Sequence, residues 1–328
     1  NNIKVVSDFE AMRGRPVDII AVFAPKQRIK SWDDIAGGPG DDETELGGTL
    51  TEGVNNKKVI WDNPTTRALA VHLSLTLVPP AKGNRKGANP GVWWDYATGE
   101  FDVYWRRLGR RMAYLDDHKQ RTAPLILDLG WEQTGPWYPW SINGVREGAP
   151  AYTKFPLAFA RIVAAIREGH HAYAGKDCPY RFCWRPSRQT VAPGVHHAAF
   201  YPGDEVVDLM GMSHHERDPY LTAENWSSRT KTWPAGERFT REGWDPFFEF
   251  CASRGKHACF PEWSPIQHHP VYEPSGYPEE FFRLTRSYIE SRLELFAYDC
   301  YFNGDESKLT ASPNWAGTGE YKKLWGRR

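Results

Sequence analysis

Two glutamates are set apart by their surroundings. Glu132 lies within DLGWEQTGPWYPW, residues 128–140, and Glu262 within CFPEWSP, residues 259–265. An apolar run leads into each, Pro124-Leu125-Ile126-Leu127 into the first and His257 to Phe260 into the second, and each has a tryptophan beside it, Trp131 or Trp263. A carboxyl group in an apolar setting resists ionisation and can donate a proton; one that is well hydrogen-bonded stays charged and can attack carbon. Two such groups brought to one glycosidic bond can cleave it, and indole faces stack on the apolar faces of sugar rings. For Glu132 alone, the competing reading is a surface acid in an aromatic-rich turn.

The elements that must bring these residues together read as alternating strands and helices. Strands are expected over Val17–Ala24, Ala68–Val78, residues 124–130, Tyr180–Trp184, Glu205–Met212, His257–Phe260 and Leu295–Phe302. Most are continuous apolar runs, the mark of strands covered on both faces. Helices are expected over residues 7–14 (Ser7 as N-cap, Gly14 as stop), 101–118, 152–168, 244–254 and 278–292. The helix 101–118 carries Phe101, Tyr104, Trp105, Leu108, Met112 and Leu115 at three- and four-residue spacing. This alternation predicts an α/β protein, a (β/α)8 TIM barrel in which residues 1–328 form a single catalytic domain with long βα loops. A doubly wound sheet would want a Gly-rich phosphate turn after an early strand, and the sequence has none. Ile3–Val6 is the candidate first strand. Counted that way, Glu132 and Glu262 end the fourth and seventh strands, facing each other across the mouth where barrel chemistry takes place. The loops 33–58, 81–91 and 264–277 would wall the cleft.

Composition narrows the partners. Lys+Arg and Asp+Glu both number 41, so no net field draws nucleic acid or an anionic membrane surface. The 15 Trp, 15 Tyr and 16 Phe exceed what a core of this size calls for and suggest a surface for flat-faced ligands. No 18-residue apolar stretch is present to span a membrane. Five cysteines allow up to two disulfides, and their spacing matches no zinc pattern. The histidines 196, 197, 214, 215, 268 and 269 lack partners at metal-ligand spacing, so neither a metal nor another cofactor is implied. A chain opening at Asn1-Asn2 without methionine has the look of a processed product, and a secreted monomer is expected.

The run WEQTGPWYPW resembles the HE-x-N-G-x-W-[YF]-x-W acid/base motif of glycoside hydrolase family 26, the mannanase and lichenase family of the retaining clan A. FCWRP is similar to that family's W-S-P-N strand end, YPGDEVVDLMGM to its Y-P-G-D-x-x-V-D-x-x-G segment, and CFPEWSP to the nucleophile segment. The resemblance runs from about Val17 to the end of the chain. It implies Glu132 as acid/base and Glu262 as nucleophile, with Trp131, Trp137, Trp140, Trp184, His215, Trp263 and Tyr298 binding substrate. The chain departs from the motifs at Trp131 (His in the family), Thr134 (Asn), Asp128 (Arg) and Ser187 (the Asn of W-S-P-N). After the sixth strand, where the family has Tyr, this chain has Ser213-His214-His215-Glu216, and His215 can donate to Glu262 in its place. The function implied is an O-glycosyl hydrolase: a retaining, endo-acting enzyme on a β-linked polysaccharide, whether mannan-type, mixed-linkage glucan or microbial exopolysaccharide. The alternative is a carbohydrate-binding barrel of the same descent without turnover; an inverting hydrolase would hold its carboxyls further apart.

Overall fold

The computed structural model of the protein describes residues 2–23, 58–78, 92–215, 222–231, 243–265, 277–304, 309–310 and 316–326. Seven strands lie side by side in chain order, all parallel: β1 (Ile19–Phe23), β2 (Ala70–Leu75), β3 (Leu125–Leu129), β4 (Arg181–Trp184), β5 (Leu209–Gly211), β6 (His257–Ser264) and β7 (Phe296–Tyr301). The short strand His214–His215 adds to the end of β6, pairing with Trp263 and Ser264. β7 returns beside β1 without a hydrogen-bonded ladder between them among the described residues, so the barrel is nearly closed. A cavity of about 770 Å3 follows this seam, lined by both edge strands and by Val5, Phe9 and Tyr321 from the helices outside.

The helices are α1 (Asn2–Arg13), α2 (Val92–Thr98), α3 (Asp102–His118), α4 (Phe155–Ala174), α5 (Trp244–Ser253), α6 (Tyr277–Glu290) and α7 (Ala316–Trp325). α3 and α4 approach to backbone contact because Gly109 and Gly169 face each other's chain. A Cβ on Gly169 would stand 1.9 Å from the Arg106 carbonyl oxygen, and one on Gly109 2.2 Å from that of Ile166.

Strand residues alternate between two environments, as the two-residue period of a strand requires. Val71, Leu73, Leu75, Leu127, Phe182, Trp184, Met210 and Phe260 face the helices and belong to the main core. Their neighbours in sequence turn into the barrel, where Ile126, Cys183, Leu209 and Cys259 form a separate small cluster capped by Ile19 and Tyr298. Above that layer the interior becomes polar, beginning with His72, Ser74, Asp128 and Arg185, all fully buried.

Several expectations are corrected. Ile3–Val6 belongs to helix α1, despite its β-branched residues. Continuation through Ser7–Arg13 lets Lys4 bond to Asp8 one turn on at 2.6 Å, and Gly14 stops the helix at φ +83°. Ser7 is therefore inside the helix, its hydroxyl donating to the Lys4 carbonyl, and is not its N-cap. Glu132 and Glu262 consequently follow or end the third and sixth of the seven strands, still three strands apart. The Glu205–Met212 strand shrinks to β5, because Val206 and Val207 donate their amides back to the Gly203 carbonyl in a turn. All five cysteines carry free thiols, so the possible disulfides are absent. The loops expected to wall the cleft fall outside the described residues, apart from their end positions.

Candidate active site

Both glutamates stand at the C-terminal ends of strands. Glu132 is reached through two left-handed residues, Gly130 at φ +70° and Glu132 itself at φ +52°. The first is free for glycine, whereas the second is disfavoured for a residue with a Cβ, and such strain gathers at functional sites. Hydrogen bonds hold the turn: the Glu132 amide donates to the Arg185 carbonyl at 2.8 Å, and its carbonyl accepts from the Gly135 amide at 2.7 Å. Glu262 needs no such turn. It lies inside β6, which continues past Phe260 to Ser264.

Between the two acids lies a buried polar network. Arg185 Nη1 donates to Glu262 Oε2 at 3.2 Å, and His215 Nε2 lies 3.0 Å from Glu262 Oε1, so each carboxylate oxygen has a cationic partner. The Ser264 hydroxyl lies 3.1 Å from His215 Nδ1 and steadies the ring. The Ser213 hydroxyl accepts from Arg185 at 3.3 Å and hydrogen bonds to Glu132, linking the two halves. Behind Arg185, Asp128 Oδ2 pairs with Nε at 2.8 Å and accepts from the Ser74 hydroxyl at 2.9 Å. His72 Nε2 also approaches Asp128 Oδ2, at 3.1 Å, and its Nδ1 lies 2.6 Å from the Tyr298 hydroxyl.

This environment drives the two acids apart. Burial pushes Glu132 above the ordinary carboxylate range, and the nearby charge of Glu262 pushes it further. Burial would raise Glu262 as well, but the hydrogen bond and charge of His215, together with Arg185, outweigh it and leave Glu262 below its ordinary value. Burial works against a charge on His215 too, yet its bond to Glu262 wins and raises it. Between the two displaced midpoints the cluster holds one carboxylic acid and one carboxylate, the division that acid–nucleophile chemistry needs.

The aromatic residues separate by exposure. Trp137 is 41% exposed, its ring lying over Gly135, and offers a face to a ligand. Trp131 is buried, edge-on to Phe23, and donates to the Tyr138 hydroxyl at 2.9 Å. Trp140, Trp184 and Trp263 are fully buried, which corrects their expected place as substrate-binding residues. Trp184 and Trp263 are next in sequence to the inward Arg185 and Glu262 and so point outward, Trp184 against Phe247 and Trp263 against Trp325. Trp140 stacks under Tyr138 and donates to the Trp131 carbonyl. Tyr298 lines the seam cavity with Glu262, its hydroxyl turned to His72.

Sequence reasoning missed Arg185, His72, Ser74, Ser213 and Tyr138. Tyr138 stands near both acids, and burial together with their charges pushes its hydroxyl upward. A signal was present for two of the others, since His72 and Ser74 are polar residues two apart in an otherwise apolar strand. Of the remaining histidines, His214 is buried between Trp244 and Phe281, while His268 and His269, like Glu216, lie outside the described residues. Among the described residues, no three His, Cys, Asp or Glu side chains converge as a metal site requires, and no helix is long and apolar enough to cross a membrane.

A nearly closed ring of parallel strands wrapped by helices, with two acids at its C-terminal rim, defines a (β/α)8-type barrel. The fold is shared with GH26C from Muricauda sp. MAR_2010_75, with TM-score 0.67 and 14% identity over 98% of this chain and 80% of that one. It is also shared with the catalytic domain of the GH26 endo-β-1,4-mannanase from Bacillus sp. JAMB-750 (TM-score 0.63, 15% identity, 98% and 79% covered). A modular endo-β-1,4-mannanase from Cellulomonas fimi is similar as well, with TM-score 0.62 and 14% identity over 97% of this chain and 65% of that one. At these identities the likeness is one of fold. Neither a protein-family model nor a curated protein sequence matches the chain.

Proposed function

We propose that the protein is a retaining, endo-acting glycoside hydrolase of β-linked polysaccharide, acting outside the cell. The observation that carries this reading is the cluster of Glu132 and Glu262 around Arg185 and His215, with their ionisation displaced in opposite directions. Glu262, ionised, attacks the anomeric carbon while Glu132 gives its proton to the departing glycosidic oxygen. The glycosyl–Glu262 ester that forms carries no charge. Glu132 then loses its like-charged neighbour but keeps Arg185 and His215 nearby, so its proton affinity falls and it can take a proton from the attacking water. Trp137 and Phe302, both partly exposed and following β3 and β7, supply apolar faces on two sides of the mouth, which suits a chain passing through.

The test is incubation with a panel of mannans, mixed-linkage glucans and microbial exopolysaccharides. Reducing-sugar release would be measured and the product anomer followed by proton NMR. Release with retained configuration, lost in Glu132→Ala and Glu262→Ala, is expected. Calorimetric binding without release would move the reading to a carbohydrate-binding barrel, and an inverted product would replace double displacement by single displacement.

A further inference from the structure

Two departures from the family-like motifs are complementary. Asp128 stands where the acid motif has Arg, and Arg185 stands where W-S-P-N has Ser. The two positions belong to neighbouring strands, Asp128 being paired with Cys183 in the β3–β4 register. Their side chains meet inside the barrel at 2.8 Å with neither exposed to solvent. We propose that Arg185 is a positioning residue for Glu262 and that Asp128 aims it. This deepens the hydrolase reading and rests on it for its catalytic meaning.

Each part of the arrangement limits where the guanidinium can point. Nε lies 2.8 Å from Asp128 Oδ2 in an ion pair whose geometry is not that of a hydrogen bond, Nη2 donates to the Ser74 hydroxyl at 3.2 Å, and Nη1 is left for Glu262 Oε2 and Ser213. A planar fork engaged on one edge presents the other in a fixed direction, which a lysine ammonium cannot do. Space for it comes from Gly211 on β5, where a Cβ would lie 2.9 Å from the Pro261 ring and 3.3 Å from the Arg185 Cβ. Asp128 is oriented in turn by Ser74 and His72, all on Oδ2, and its Oδ1 has no hydrogen-bond partner among the described residues. Because Asp128 accepts at Nε2, the His72 proton sits there and Nδ1 accepts from the Tyr298 hydroxyl. Burial holds His72 below the ordinary histidine range, so it adds no competing cation.

The groups that face Glu262 are His72 from β2, Glu132 and Tyr138 from the turn after β3, and Arg185 from β4. His215 and Ser213 face it from the segment after β5, and Tyr298 from β7. Of these, Arg185 is the one that carries a positive charge throughout the working range. Burial acts against its charge, but Asp128, Glu262 and Glu132 more than compensate.

The test reads Glu262 directly, without substrate. Carbon-13 NMR of the side-chain carboxyl would follow its titration in the wild-type protein, in Arg185→Lys, and in the charge-balanced double variant Asp128→Asn/Arg185→Gln. Near-UV circular dichroism would check that each is folded. The Glu262 midpoint is expected to rise in the order wild type, Arg185→Lys, double variant, reaching about one pH unit or more in the last. An unchanged midpoint in the folded double variant overturns the proposal. If the double variant does not fold, an unchanged midpoint in Arg185→Lys overturns it instead. Should the polysaccharide panel show no hydrolysis, the hydrolase reading fails while this titration still decides whether Arg185 governs Glu262.

Discussion

His215 Nε2 and Glu262 Oε1 lie 3.0 Å apart in a site with little access to water, the imidazole 24% and the carboxylate 14% exposed. Each stabilises the charged form of the other, raising the histidine and lowering the glutamate. A histidine whose folded value is raised contributes stability that is fully present below its unfolded value. That contribution is lost as pH rises through the folded value. The wild-type protein should therefore lose stability as the pH rises above the ordinary histidine value. His215→Gln should flatten that slope in urea unfolding and move the Glu262 titration upward. Parallel slopes in the two proteins would show that the imidazole is uncharged and the contact a neutral one.

The opposite displacement of the two acids fixes the shape of a rate–pH profile. Activity should fall on the acid side only below the ordinary carboxylate range, where Glu262 takes up a proton. On the alkaline side it should fall above that range, where Glu132 gives one up. Glu132→Ala should cost about 10²–10⁴-fold on a substrate whose leaving group needs protonation, and much less on an aryl glycoside with an acidic phenol. Glu262→Ala should abolish turnover on both. Equal losses on the two substrates for Glu132→Ala would remove it from the acid role.

The strands and both acids could be read in the sequence because apolar runs such as Leu125–Leu127 need no tertiary context. The orientation of residues around them could not. A fully buried arginine is rare enough that Arg185, next to Trp184, passes for the polar half of a strand end, whereas parity within β4 turns the indole out and the guanidinium in. The same parity removes Trp263 from the sugar site, since its neighbour Glu262 faces inward. Ile3–Val6 misled because β-branched residues favour strands, whereas α1 packs Val6, Phe9 and Met12 against the core as one helix.

Thr134 and Ser187 are also departures that meet, their hydroxyls 2.8 Å apart and both buried, with the Ser187 amide donating to Thr134 Oγ1 at 3.0 Å. They tie the turn that carries Glu132 to the end of β4. Thr134→Ala should cost about 1–3 kcal/mol, since it strands a buried amide and a hydroxyl. Ser187→Ala should cost less, and the double variant should cost less than the sum of the singles. Urea denaturation of the three variants completes the cycle. Strict additivity would mean that the two hydroxyls act independently, and that the turn is held by its backbone bonds alone.

Trp137 and Trp140 lie three residues apart on one turn and should respond to truncation in opposite ways. Trp137 is 41% exposed and Trp140 is fully buried beneath Tyr138. Trp140→Ala removes a core indole together with the bond from Nε1 to the Trp131 carbonyl, so a loss of about 3–5 kcal/mol in unfolding free energy is expected. Trp137→Ala opens no cavity and should leave the thermal midpoint nearly unchanged. If its face receives a sugar ring, the same substitution should raise KM on long oligosaccharides while kcat holds, because a ring bound equally in ground and transition states contributes only to binding. Measuring both variants for thermal unfolding and for oligosaccharide kinetics separates the two roles. A KM unaffected by Trp137→Ala at every chain length would take the exposed indole out of the binding surface.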